Sequence, residues 1–207
     1  MIVEAERLRN ELERAGADAA LEPDSFAVWI VDASRPPRAT PIAYLQPAGR
    51  VTADTVLVFR AVGAERVEPF RERAHRLALW RELPGLPEAA LGPMLRHELE
   101  HARRFELSGP AFYECDERLR AQFGADSYAA LPTEREANAA AAAYARRALT
   151  AAALEELQRV PELAGMLAAE PPADVVATTL ALLGESVELA PAIVGRAGLT
   201  IELVAPV

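Results

Sequence analysis

His97-Glu98-Leu99-Glu100-His101, set inside the segment Leu91 to Leu107, decides how the rest of this chain is read. It holds two of the chain's 3 histidines. On a helix, residues four apart share a face on adjacent turns, so His97 and His101 are spaced to hold one metal ion together. Glu98 sits about 100° round the same helix, where a carboxylate can act on a water bound to that ion.

The neighbours of the motif give it a setting. Gly92 and Pro93 mark the expected start of the helix, Gly92 as cap and Pro93 at the first helical position. Met94, His97, Glu98, His101 and Phe105 fall on one arc, with Leu95, Leu99 and Ala102 beside it. Arg96, Glu100 and Arg103 fill a flank expected to face water. Imidazoles and a carboxylate next to an apolar arc are costly to bury without partners, and a metal ion would be such a partner.

A catalytic zinc takes three protein ligands and leaves one position for water, so a third group is required. His75 upstream and Cys115 downstream are formal candidates. The expected one lies in Leu131-Pro132-Thr133-Glu134-Arg135-Glu136-Ala137-Asn138, which opens a helix running to Ala148. Thr133 and Glu136 have the spacing of a capping box, in which each side chain bonds the other's backbone amide. That assignment occupies Glu136 and leaves Glu134 to project as the third ligand, with Glu136 the alternative. Asn138, one turn beyond Glu134, is placed to orient a ligand histidine by hydrogen bonding, a role in the shell behind the metal.

His97-Glu98-Leu99-Glu100-His101 followed by Glu134-Arg135-Glu136-Ala137-Asn138 resembles the gluzincin pattern, in which HExxH is completed by a glutamate from a second helix. An Asp or Asn stands four residues after that glutamate. The chain is similar in particular to small bacterial and phage minimal gluzincins and to ImmA/IrrE-like metallopeptidases, over roughly Phe26 to Ala148. The resemblance implies an α+β fold in which a small antiparallel sheet packs on the active-site helix and the glutamate helix. It also implies a zinc cofactor and peptide-bond hydrolysis.

Upstream of the motif, Ile2 to Gly16 has helical spacing, with Val3, Leu8 and Leu12 apolar. Phe26 to Asp32, Ala39 to Leu45 and Thr55 to Val62 are β-like runs whose short separators favour an antiparallel meander. Glu68 to Leu83 is expected to be a helix burying Phe70, Leu77 and Trp80, with His75 half-exposed on it. Downstream, Phe112 to Phe123 is expected to be a helix carrying Tyr113, Cys115 and Leu119. Cys115 is read as a small buried hydrophobe. Tyr113, Tyr128 and Tyr144 are each conceivable donors to an oxyanion. Three short helices are expected at 150–159, 161–169 and 173–183, followed by a closing strand over Leu199 to Val204. Val175, Val176, Thr179, Leu180 and Leu183 form a stripe expected to face the core. The expected organisation is a metallopeptidase-like domain over residues 1–149 and a helical extension over 150–207 packed on the same domain.

Composition sets the outer limits. Hydrophobic residues make up 51% of the 207, enough for a packed core. Every one of the 22 basic residues is arginine, and the net charge of -9 argues against nucleic acid or an anionic membrane as partner. A single cysteine cannot make an internal disulfide, which fits a reducing compartment. Met1 to Gly16 lacks the apolar run of a signal peptide, and no stretch is long and apolar enough to span a bilayer. The expectation is a cytoplasmic zinc metallopeptidase acting on a peptide or protein substrate, with Glu98 as general base and narrow substrate choice. The alternatives are a regulatory protease that cuts one partner, such as a repressor, and a non-catalytic binding module stabilised by zinc.

Overall fold

The computed structural model describes residues 1–21, 26–35, 43–46, 75–123 and 125–184, and these are rich in helix. They fall into two compact units, one holding Met1–Leu99 and one beginning at Glu100.

In the first unit, helix α1 (Ala5–Ala19) buries Leu8, Ala15, Gly16 and Ala19. Three strands follow: β1 (Phe26–Ser34), β2 (Ala43–Gln46) and β3 (His75–Glu82). They form one sheet in the order β1-β3-β2, with β3 in the middle. β1 runs parallel to β3, in register from Phe26 opposite His75 to Val31 opposite Trp80. β2 runs antiparallel to β3, with Tyr44 opposite Ala78. The chain start continues the pairing: Val3 N–H donates to the Arg81 carbonyl at 2.7 Å and Leu83 N–H to the Met1 carbonyl at 2.8 Å.

Two expectations are corrected by this sheet. The antiparallel meander is replaced by a mixed sheet, because β3 lies between the two strands that were expected to pair with each other. Short separators permit adjacent strands to pair but do not stop a later strand from taking the place between them, and the long connection from β1 to β3 allows a parallel pair. The helix expected over 68–83 is, where described, strand β3. Leu77, Ala78 and Leu79 are all buried, as in a central strand covered on both faces. Such a strand reads as a continuous apolar run, which periodicity does not separate from a buried helix. His75 is therefore a buried strand residue, 1% exposed, not a half-exposed helical one. The runs expected at 55–62 and 199–204 lie outside the described residues, as do 68–74 and 39–42.

A short 3-10 turn, Glu88–Ala90, leads into the motif helix α2 (Leu91–Phe123). The helix begins two residues earlier than expected, so Gly92 and Pro93 lie within its first turn, where a missing N–H costs no hydrogen bond. α2 is interrupted at Gly109, whose φ of 75° and ψ of 176° are non-helical. Only glycine takes this conformation without strain, and Pro110 disfavours a helical residue before it. The two segments match the two helices expected at 93–107 and 112–123.

The second unit carries α3 (Pro132–Ala148), α4 (Ala151–Gln158), α5 (Pro161–Leu167) and α6 (Val175–Leu183). α3 packs against α5 and α6, presenting Ala137, Ala141, Ala142 and Ala145 on its buried side. Thr150 and Asp174 cap α4 and α6 through side-chain oxygens that accept from Ala153 N–H and Ala177 N–H. Phe112 and Cys115 from α2 form a core cluster with Val175 and Leu180 of α6, joined by Val176 and Leu183. The apolar stripe of α6 is core, as its spacing indicated.

Candidate metal centre

The first segment of α2 sets His97 and His101 on successive turns, and its apolar flank fixes how the helix sits. Leu95, Leu99 and Ala102 are fully buried, with Met94 and Phe105 close to it. Of the flank expected to be wet, only Arg103 is partly exposed. Arg96 and Glu100 are only 7% and 2% exposed, and each has an opposite charge beside it. Arg96 Nε donates to Asp18 Oδ2 at 2.7 Å. Glu100 accepts from Arg103 Nε at 2.9 Å and from Nη2 at 2.5 Å, and that hydrogen bond raises the Arg103 guanidinium above its ordinary value. Pairing is what makes burial of these charges tolerable.

Glu134 enters from the first turn of α3, 3% exposed. Its Oε1 lies 3.2 Å from His101 Nε2. Among the described residues, His97, His101 and Glu134 form a group whose ligand atoms all lie within 4.8 Å of one another. Ligands of a tetrahedral ion bound at 2.0–2.2 Å stand roughly 3.3 Å apart, so the His101–Glu134 separation suits a shared ion. Two imidazole nitrogens and a carboxylate oxygen are a donor set that zinc and other divalent transition metals accept. These three side chains lie close enough together to hold a metal ion.

The reason Glu134 is available differs from the expected one. Thr133 and Glu136 form no capping box: Pro132 occupies the start of α3, Leu131 is the cap residue, and no side chain caps the end. Thr133 lies inside the first turn, and its hydroxyl donates to Asp116 Oδ1 at 2.7 Å. Glu136 is turned to α2, where its carboxylate accepts from Arg104 Nε at 2.9 Å and from Arg104 Nη2, with Arg103 Nη2 at 3.9 Å. An ion pair, not a cap, occupies Glu136.

Of the other expected participants, Glu98 and Asn138 are half-buried, Glu98 directly after His97 and Asn138 one turn beyond Glu134. Cys115 lies in the core cluster with Phe112 and α6, and His75 on β3 is not a member of the metal-capable group. Tyr144 is buried in α3. Tyr113 packs edge-on against Phe105, ring centroids 5.7 Å apart. Tyr128 has its hydroxyl on Arg120 Nη1 and its ring 4.7 Å from the guanidinium carbon.

Arg120 itself was missed in the sequence. Its Nη2 donates to Glu134 Oε1 at 2.8 Å and its Nε to Asp116 Oδ2 at 2.6 Å. Burial lowers its proton affinity, but the charges of Glu134 and Asp116 outweigh that effect and hold the guanidinium well above its ordinary value. The available signal was the four-residue spacing of Asp116 and Arg120 on one helix, which many solvated pairs share. No family model, curated protein or solved structure matches this chain.

Proposed function

We propose that this chain is a zinc metallopeptidase of the gluzincin type, with His97, His101 and Glu134 as metal ligands and Glu98 as general base. The observation that carries the reading is the convergence of both HExxH histidines with a buried glutamate from a second helix. An ordinary buried ion pair would need one histidine at most. Zinc is the metal that this donor set and a hydrolytic motif suit together.

A bound zinc ion would polarise the scissile carbonyl and make water acidic enough to lose its proton near neutral pH. Glu98 would take up the proton of the attacking water and return it to the departing amine nitrogen when the carbon–nitrogen bond breaks. His97 and His101 must present neutral imidazoles to act as ligands, so metal affinity falls as the solution is acidified. The second reading, a non-catalytic zinc-stabilised module, has no use for a carboxylate beside its first ligand; Glu98 is what favours an enzyme. A peptide or protein is the substrate class, and cleavage of a single partner protein is a narrower form of the same activity.

Glu98→Gln separates these readings. In an enzyme it leaves bound zinc unchanged and lowers peptide cleavage by about 10²–10⁴-fold, measured by metal analysis and by cleavage of a diverse peptide library. Equal cleavage by the wild-type chain and this variant, at equal zinc content, would rule out the role given to Glu98.

A further inference from the structure

Arg120 lies on the second segment of α2, beyond the break at Gly109, and its guanidinium touches three elements at once. Nη2 donates to Glu134 Oε1 at 2.8 Å and to Thr133 Oγ1 at 3.3 Å, both on α3. Nε donates to Asp116 Oδ2 at 2.6 Å on its own helix. Nη1 donates to the Tyr128 hydroxyl in the 3-10 turn 125–130, whose ring also lies against the guanidinium. Thr133 closes the ring of bonds by donating its hydroxyl to Asp116 Oδ1 at 2.7 Å.

The oxygen that Arg120 holds is the one that faces His101. Glu134 Oε1 is 2.8 Å from Arg120 Nη2 and 3.2 Å from His101 Nε2. A carboxylate oxygen has two lone pairs, so Oε1 can accept from Arg120 and still give a pair on the histidine side. Charge balance favours this use. Arg120 alone would neutralise Glu134 and make it a poor cation ligand, but Asp116 offsets Arg120 and leaves the negative charge of Glu134 for a metal. A glutamate has three rotatable bonds, and holding it beforehand spares the metal the cost of ordering it.

We infer that Arg120 is a positioning residue, held by Asp116, Thr133 and Tyr128, that fixes the Glu134 carboxylate toward His101 so that the metal ligands are arranged before a metal arrives. This rests on the reading of His97, His101 and Glu134 as a metal site.

The test titrates the full chain with cobalt(II) in place of zinc, following the visible absorption that reports coordination geometry, with far-UV circular dichroism to confirm folding. Two variants are used. Arg120→Lys keeps a positive charge beside Asp116 but lacks the planar fork that engages two carboxylates. Asp116→Asn combined with Arg120→Met keeps the charge balance without a cation; if it does not fold, Arg120→Lys decides. The expected result is a folded variant whose cobalt affinity is about 10–100-fold weaker, with a changed visible spectrum. A folded variant with wild-type affinity and spectrum would overturn the inference and leave the metal site standing. A wild-type chain that binds no cobalt would overturn the metal site itself, and this inference with it.

Discussion

At the scale of single residues, the chemistry depends on which of two glutamates near the start of α3 faces the histidines. The motif spacing named both, and a capping box was the argument for choosing Glu134. Glu134 lies beside His101, but no capping box forms at the start of α3. Pro132 shifts the cap to Leu131, and Thr133 turns to Asp116 instead. Glu136 is occupied by Arg104, a partner 32 residues away in sequence that no local pattern discloses. This gives the two residues opposite mutational signatures. Glu136→Gln is expected to cost about 1–2 kcal/mol of stability by loosening a half-buried charged hydrogen bond, seen in urea unfolding, and to leave metal binding intact. Loss of metal from that variant would contradict the assignment of the two glutamates.

At the scale of elements, helices were more legible than strands. α3, α4, α5 and α6 begin and end within about two residues of expectation, because prolines, Thr150 and Asp174 mark their starts by local chemistry. β3 was misread because Leu77-Ala78-Leu79-Trp80 is apolar throughout, and only its position between β1 and β2 makes it a strand. Sheet order is a long-range property, and a segment's own sequence does not encode it. The break in α2 at Gly109 falls between the helices expected at 93–107 and 112–123. Gly109→Ala places a side chain at φ 75°, ψ 176° and should destabilise the fold by about 1–3 kcal/mol, lowering the thermal midpoint. It should also weaken cobalt binding, since Asp116 and Arg120 lie beyond the break. Unchanged stability in this variant would show that the two segments do not require this glycine.

At the scale of the whole molecule, no helix among the described residues is long and apolar enough to cross a membrane, and the balance of charge is acidic. A resident metal would contribute to stability by mass action, since ligands drawn from two helices converge only in the folded chain. Free zinc at 100 times its dissociation constant adds about 2.7 kcal/mol, so a chelator should lower the thermal midpoint and added zinc should restore it. A midpoint indifferent to both would argue against binding to the folded state. Whether His97, His101 and Glu134 together hold one zinc ion is decided by metal analysis of the purified chain beside its Glu134→Ala variant. The expected result is one zinc per wild-type chain and a small fraction of that in the variant. A wild-type chain without zinc, or a variant that keeps its full complement, would contradict it.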